Sequence, residues 1–235
     1  MSMADKEKID IFLQKVGEMG ITLDELIEYR LAKDHSFLSM SSKIKLEYDR
    51  FFDKLLEEYK TTKEKGDVLE SLASCLMFSE ENVFNLKRNV RTSSNEIDLL
   101  VTLSNKGKMV VPKLYGFLGE KFLCECKNYG GALGVTYVGK FYSLLKVSNS
   151  KVGILFTIKG VTGTSNWKDS KAFIHKVALK EDIAILVFEL NDYRRIKEDN
   201  VLFLDLVEEK YQSLMTDISY DQYISSHEAE ERLFN

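Results

Sequence analysis

Residues 122 to 128 read FLCECKN, and this run sets two charged side chains, Glu125 and Lys127, into what is otherwise the text of a buried strand. On a strand, residues i and i+2 share a face. Glu125 and Lys127 therefore project together, while Phe122, Cys124 and Cys126 project the other way into a core. A Glu-x-Lys triplet is expected about once by chance in a chain of this length, and this chain carries two further copies, Glu58-x-Lys60 and Glu208-x-Lys210. Both of those lie in helical text, where such charges are ordinary surface groups. Only the copy at 125 and 127 sits among apolar residues, where unpaired charge is expensive.

A second run, EIDLLV at 96 to 101, has the same character. Asp98 shares a strand face with Glu96, Leu100 and Thr102, and Ile97, Leu99, Val101 and Leu103 take the core side. Asp is depleted in strands, so its position asks for a reason. Two adjacent antiparallel strands would bring Asp98 and Glu125 within reach of one cation. Oxygen ligands suit Mg²⁺ or Mn²⁺, which take one or two carboxylates and keep several waters. Lys127 would then lie beside a metal-bound water, placed to orient or deprotonate it or to neutralise charge on a phosphate.

Outward from these two runs, the chain divides by texture. Residues 4 to 60 read as helical: segments around Ile9 to Met19 and Leu23 to Leu31 precede KIKLEYDRFFDKLLEEYK, whose apolar positions from Ile44 to Tyr59 follow three-and-four spacing. Thr61 to Gly66 reads as a polar break before a short helix, DVLESLASCLMF. From about Asn82 the text turns to strands: VFNLKRNVRT, EIDLLVTLS and KFLCECKN, close enough in sequence to form a meander. The stretch from Asn105 to Glu120, with the chain's one proline, Pro112, reads as a long loop between the second and third strands. Beyond the loop NYGGALG come a helix, VTYVGKFYSLLKV, the apolar strand VGILFTI, a helix near Lys168 to Ala178 and the strand DIAILVFEL. That alternation implies parallel crossovers with helices covering a sheet. Val201 to Asn235 reads as one or two acidic helices.

The chain's 235 residues are enough for a generous core. Its net charge of −4 hides a strong asymmetry. Residues 81 to 180 hold 16 Lys and Arg against 6 Asp and Glu, and the rest of the chain holds 17 against 31. A lysine-rich segment can serve solubility alone, but three of its six acids are Glu96, Asp98 and Glu125. Three cysteines and a polar, charged start suit a reducing cytoplasm, and no apolar run approaches the roughly 18 to 20 residues of a membrane span.

These residues resemble the PD-(D/E)xK nuclease superfamily and, within it, the Mrr-like type IV restriction endonucleases. The match is an acid on one strand, Asp98, then E-x-K on the next, Glu125, Cys126 and Lys127, with an acid on the preceding helix, Glu70 in KGDVLESLA. It covers roughly residues 64 to 190. Two features depart from the pattern: Ile97 stands where the superfamily name has proline, and VGKFYSLL, Val138 to Leu145, lacks the glutamine of Mrr-like members. The resemblance implies an α/β fold with a restriction endonuclease-like core (helix, three-strand meander, helix, strand), a mixed central sheet flanked by helices, and helical extensions at both ends. The expected organisation is a helical region over 1–63, the nuclease-like domain over 64–192 and an acidic helical tail over 193–235. It further implies that Asp98 and Glu125 hold Mg²⁺ or Mn²⁺, that Cys126 offers its backbone carbonyl, that Lys127 assists hydrolysis and that Glu70 is a further ligand. The implied activity is endonucleolytic cleavage of DNA, in restriction or defence against foreign DNA.

Alternatives stand beside each of these assignments. Asp98, Glu125 and Lys127 also fit a structural ion-pair cluster, Glu70 an exposed helix carboxylate, and Glu96 a substitute ligand. A nuclease fold that only grips nucleic acid or protein, a junction resolvase and an RNA-directed nuclease are the other functional readings. Cys124 and Cys126 read as small core residues, since zinc wants four ligands and none lies near. NYGGALG matches neither nucleotide-binding glycine pattern. Candidates for phosphate contact are Arg88, Arg91, Lys140, Lys159, Lys168 and Lys171, with Tyr129, Tyr142 and Trp167 placed to stack on or wedge a base. A homodimer would supply two sites for two-strand cutting, and the N-terminal helices could carry that interface or a protein partner.

Overall fold

The computed structural model describes residues 2–33, 35–59, 61–91, 96–163 and 169–223. The chain forms two compact units, Met1–Phe37 and Leu38–Asn235. In the first, α1 (Met3–Glu18) starts six residues before the segment expected from periodicity, because Ser2 and Asp5 close a reciprocal capping box. Helix α2 spans Leu23–Lys33.

The second unit is α/β. Its five strands, β1 (Phe84–Arg91), β2 (Glu96–Leu103), β3 (Lys121–Lys127), β4 (Val152–Thr157) and β5 (Ala184–Phe188), form one sheet in chain order. The pairs β1 to β2 and β2 to β3 are antiparallel and the pairs β3 to β4 and β4 to β5 parallel. The expected meander and the two parallel crossovers are both present in this mixed sheet. Helix α3 (Ser42–Leu55) packs on α4 (Thr62–Leu76), and α4 lies across β2, β3 and β4. The order helix, meander, helix, strand is completed by α6 (Val135–Val147), packed on β4. Helices α7 (Ser170–Glu181) and α9 (Phe203–Tyr223) cover β5, and α8 (Leu190–Glu198) meets α3.

Local chemistry explains where these elements depart from the sequence expectations. The run Thr61 to Gly66 is not a break: Thr61 caps α4, its side chain accepting from the Glu64 backbone N–H while the Glu64 carboxylate accepts from the Thr61 N–H. Helix α3 stops at Leu55 rather than Lys60, its end tightened where the Leu56 and Glu57 N–H groups reach the carbonyls of Asp53 and Lys54. The expected loop between β2 and β3 holds α5 (Asn105–Leu114), capped by Ser104, with Pro112 in its last turn. A proline there costs one backbone hydrogen bond at a helix that ends two residues later. Gly107 lets this helix approach the backbone just before β1, since a Cβ at that position would lie 2.0 Å from the Val83 carbonyl oxygen. The strand expected through Leu190 ends at Phe188, and Glu189 with Asp192 caps the unanticipated α8.

Buried hydrogen bonds tie the carboxyl ends of the parallel strands together. The Tyr193 hydroxyl, fully buried, donates to the carbonyls of Thr157 and Phe188 at the ends of β4 and β5, 2.9 and 3.2 Å away. Tyr48 of α3 donates in turn to the Tyr193 carbonyl at 2.9 Å. Asn128, directly after β3, donates to the Lys65 carbonyl of α4 at 3.0 Å, which fixes the end of the strand that carries Glu125 and Lys127 against the helix that carries Glu70. The chain's three cysteines are free thiols in the core, and burial pushes Cys124 and Cys126 well above the ordinary thiol range.

Candidate active site

The expected face separation holds on both strands. In β2, Ile97, Leu99, Val101 and Leu103 are buried while Asp98, Leu100 and Thr102 are half-buried. In β3, Phe122, Cys124 and Cys126 are buried, and Glu125 and Lys127 are half-buried. The β2 to β3 register pairs Leu99 with Cys124. One step further, the same register sets Asp98 opposite Glu125.

Charges on these two strands converge. The Lys127 ammonium lies 2.6 Å from Glu125 Oε1 and 3.2 Å from Asp98 Oδ2, and it donates to the Cys126 carbonyl at 3.2 Å. Asp98 Oδ2 also accepts from the Cys126 backbone N–H at 2.8 Å, so its carboxylate is aimed by the neighbouring strand. Glu70 on α4 completes the acidic group from beneath, accepting from Arg88 of β1 at 3.4 Å.

Electrostatics follow from this crowding. Burial, then the Asp98 charge, raises the Glu125 carboxyl above the ordinary range, against the pull of Lys127. Glu70 is raised for the same two reasons, with Arg88 opposing. Burial alone would lower Lys127, but Glu125 and Asp98 outweigh it and hold the ammonium above the usual lysine range. Glu125 Oε2 is the one buried side-chain polar atom without a hydrogen-bond partner among the described residues. Such an atom asks for a partner the protein itself does not supply.

The donor set available to a metal is therefore Asp98, Glu125 and the Cys126 carbonyl, with Glu70 beside it. Among the described residues no three His, Cys, Asp or Glu side chains close into a cage around one point. Two carboxylates and a carbonyl suit an ion that keeps several of its waters, as Mg²⁺ does, rather than a fully enclosed one. The unpartnered Glu125 oxygen fits that group.

A further residue escaped the sequence reading. Asn89 of β1 falls between the pairs Arg88 to Leu99 and Val90 to Ile97, and so stands across from Asp98. Its φ of 50° is left-handed, a conformation Asn tolerates better than other side chains. The signal available was only a polar residue in mid-strand.

The residues expected to touch nucleic acid divide into groups. Arg88 joins the acidic cluster through Glu70, and Arg91 pairs with Glu96 at 3.7 Å. Tyr129 and Lys140 lie with Tyr137 at the loop after β3, whereas Tyr142 packs edge-on against Phe173. Lys159 and Lys171 line a separate cavity of about 510 Å³ with His175, Glu189 and Lys210, beyond the ends of β4 and β5. Trp167 and Lys168 lie outside the described residues. The loop NYGGALG is held at both ends: Asn128 by α4, and Leu133 by backbone bonds with Gly160 and Thr162. Among the described residues no helix is long and apolar enough to cross a membrane.

No family model matches the chain, and no curated protein matches it. A solved structure similar to it is that of the DNA modification-dependent restriction endonuclease AspBHI, with 15% sequence identity and a TM-score of 0.38 over 79% of this chain. The match takes in 43% of the AspBHI chain, so this chain spans less than half the length of that neighbour.

Proposed function

We propose that the protein is a divalent-metal-dependent endonuclease of the PD-(D/E)xK type that hydrolyses DNA phosphodiester bonds. The observation that carries this reading is the meeting of Asp98, Glu125 and Lys127 on adjacent strands around a buried carboxylate oxygen with no partner. Asp98, Glu125 and the Cys126 carbonyl would hold Mg²⁺ or Mn²⁺, with Glu70 as a further ligand. Such an ion, when bound, supplies Lewis-acid stabilisation of phosphate charge and a more acidic water. The Cys126 N–H fixes the Asp98 carboxylate in place, so the site is organised by backbone rather than by a mobile side chain. Lys127, held above the usual lysine range, enters the reaction as an ammonium: it donates a hydrogen bond and a positive charge to the attacked phosphate or the attacking water. DNA as the partner is supported by the basic segment in which the site lies, 16 Lys and Arg against 6 Asp and Glu over residues 81 to 180.

The test is incubation of supercoiled plasmid and linear DNA with the wild type and with Asp98→Ala and Lys127→Ala, in Mg²⁺ or EDTA. The expected outcome is cleavage only by wild type with Mg²⁺. Absence of wild-type cleavage in any divalent ion, or cleavage that survives either substitution, overturns the reading. Glu70→Ala, assayed separately, assigns the third carboxylate: an unchanged rate and metal dependence removes it from the ligand set.

A further inference from the structure

The loop that leaves β3 carries an aromatic pair for which the hydrolytic chemistry has no use. Tyr129 lies two residues beyond Lys127, and Tyr137 stands in the first turn of α6. Their ring centroids are 5.1 Å apart with planes tilted by 51°, yet the two residues remain 41% and 42% exposed. Single exposed apolar groups need no explanation, but adjacent ones mark contact surfaces. The Lys140 ammonium, one turn further along α6, lies 5.9 Å from the centroid of the Tyr137 ring. The glycines of the loop border open space, since a Cβ at Gly130, Gly131 or Gly134 would meet no atom within 4 Å outside its chain neighbours. Burial first and a hydrogen bond with Tyr137 next raise the Tyr129 hydroxyl above the usual tyrosine range, and the charges of Lys127 and Glu125 act on it as well.

Charge says what kind of partner such a surface takes. From residue 126 to residue 168 the chain has no Asp or Glu, and although Lys127, Lys146 and Lys151 pair with acids outside that stretch, Lys140 stands beside the rings as their own cation. Exposed aromatic rings beside cations, in a segment with no acids, have the composition of a surface that tracks a single nucleic-acid strand, with bases stacked on the rings and phosphates against the ammonium groups. A paired base in a duplex has both faces covered by its neighbours and offers only its edges in the grooves. A base that lies on a tyrosine ring must therefore be unstacked.

We propose that Tyr129 and Tyr137 form a stacking ledge for an unpaired base of the strand whose phosphate lies at Asp98, Glu125 and Lys127, with Lys140 against the adjoining phosphate. This rests on the nuclease reading and narrows it: the substrate is DNA with a single-stranded or unpaired nucleotide beside the scissile bond.

The test is binding of short fluorescein-labelled DNAs by anisotropy, in Ca²⁺ to limit turnover. A perfect duplex is compared with the same duplex carrying one unpaired 2-aminopurine. Wild type is expected to bind the unpaired form roughly 5- to 100-fold more tightly and to quench the 2-aminopurine. Tyr137→Ala and Tyr129→Ala each abolish most of that preference and the quenching while leaving duplex affinity within about twofold, and Tyr137→Phe retains both. Tyr137→Leu keeps apolar bulk without a π face; should the alanine variants fail to fold by circular dichroism, loss of preference in the leucine variant is the deciding result. A wild type that binds both DNAs equally, or neither, overturns the ledge, as does retention of the preference by the alanine or leucine variants. The two readings fail separately: lack of plasmid cleavage with the preference intact sinks the nuclease, and cleavage without the preference sinks the ledge.

Discussion

Replacing Lys127 with methionine removes a charge that touches both facing carboxylates, and its effect on stability can be bounded from distances. Contacts of 2.6 Å to Glu125 and 3.2 Å to Asp98 represent about 5 to 6 kcal/mol of gross attraction each at an effective dielectric near 20. Most of this is offset by the cost of taking the three charges out of water. Exposed ion pairs leave a net of about 0 to 1 kcal/mol, and breaking a buried pair costs about 3 to 5. The side chains of Lys127, Glu125 and Asp98 are 24%, 18% and 14% exposed, which is nearer the buried case. Lys127→Met is therefore expected to lose about 2 to 3 kcal/mol, a fall of roughly 4 to 12 °C in Tm at neutral pH.

Proton linkage gives this loss a distinctive pH dependence. Lys127 has its folded pKa raised, so its contribution is whole below the ordinary lysine value, including at neutral pH, and is lost only as pH rises through the higher folded value. In the variant, Glu125 faces the Asp98 charge without a countercharge, so its folded pKa, already raised by burial and by Asp98, rises further above the unfolded one. The folded state then holds more protons than the unfolded, and stability falls as pH rises from the ordinary carboxylate range. The Tm deficit should thus be small near pH 4 and full by pH 7 to 8. Thermal melts of both proteins by circular dichroism across this range measure it. A deficit under 1 °C at pH 7, or one independent of pH, refutes the reasoning.

Three other perturbations have expected outcomes. Gly153→Ala brings a Cβ to 2.7 Å from Leu145 and Phe141, overpacking α6 against the strand beside Glu125; a loss of about 1 to 3 kcal/mol by urea titration is expected, and a neutral result would mean that α6 shifts freely. Thr61→Ala removes the α4 cap and should cost about 1 kcal/mol, or roughly 2 to 4 °C in a thermal melt; no change would mean that packing alone holds this helix end. On the metal reading, Mg²⁺ or Ca²⁺ at about 100 times its Kd should stabilise wild type by about 2.7 kcal/mol and Glu125→Gln by much less; equal Tm shifts in the two proteins would place the ion elsewhere.

The parts of the fold visible in the sequence are those governed by period. Alternation separates Asp98, Glu125 and Lys127 from the core side of β2 and β3 correctly, because one face of each strand is almost wholly apolar. The switch from a meander to helix and strand units likewise announces the change from antiparallel to parallel pairing. Register and helix starts are not periodic properties. That Asp98 stands opposite Glu125, and Asn89 across from Asp98, depends on how three strands align, and no residue in any one of them encodes it. Arg88, a candidate for phosphate contact, also meets Glu70 of α4, a pairing set by how β1 lies beside that helix. The starts of α1, α4 and α8 were written in polar capping residues, Ser2 with Asp5, Thr61 with Glu64 and Glu189 with Asp192, which a search for apolar spacing passes over. Pro112 drew its neighbours toward a loop because a proline near a helix end is far cheaper than one in its middle.

The charge balance of the cluster separates its two physical interpretations. An ion-pair network that serves stability holds its carboxylates below their ordinary pKa, so that they add stability at neutral pH and lose it in acid. Glu125 and Glu70 are shifted the other way, by burial first and by Asp98 next. Each therefore takes stability from the fold as pH rises through and above the ordinary carboxylate value, where the folded state must give up a proton it holds more tightly than the unfolded chain does. Lys127 and Arg88 reduce that penalty without reversing it. Structural ion pairs would be better served by apolar residues of the same size, whereas a site that takes a divalent cation must keep negative charge in excess until the cation arrives. Asp98 and Glu125 share Lys127, Glu70 takes Arg88, and one oxygen of Glu125 stays buried without a partner: three carboxylates against two cations have the imbalance that a further positive charge relieves.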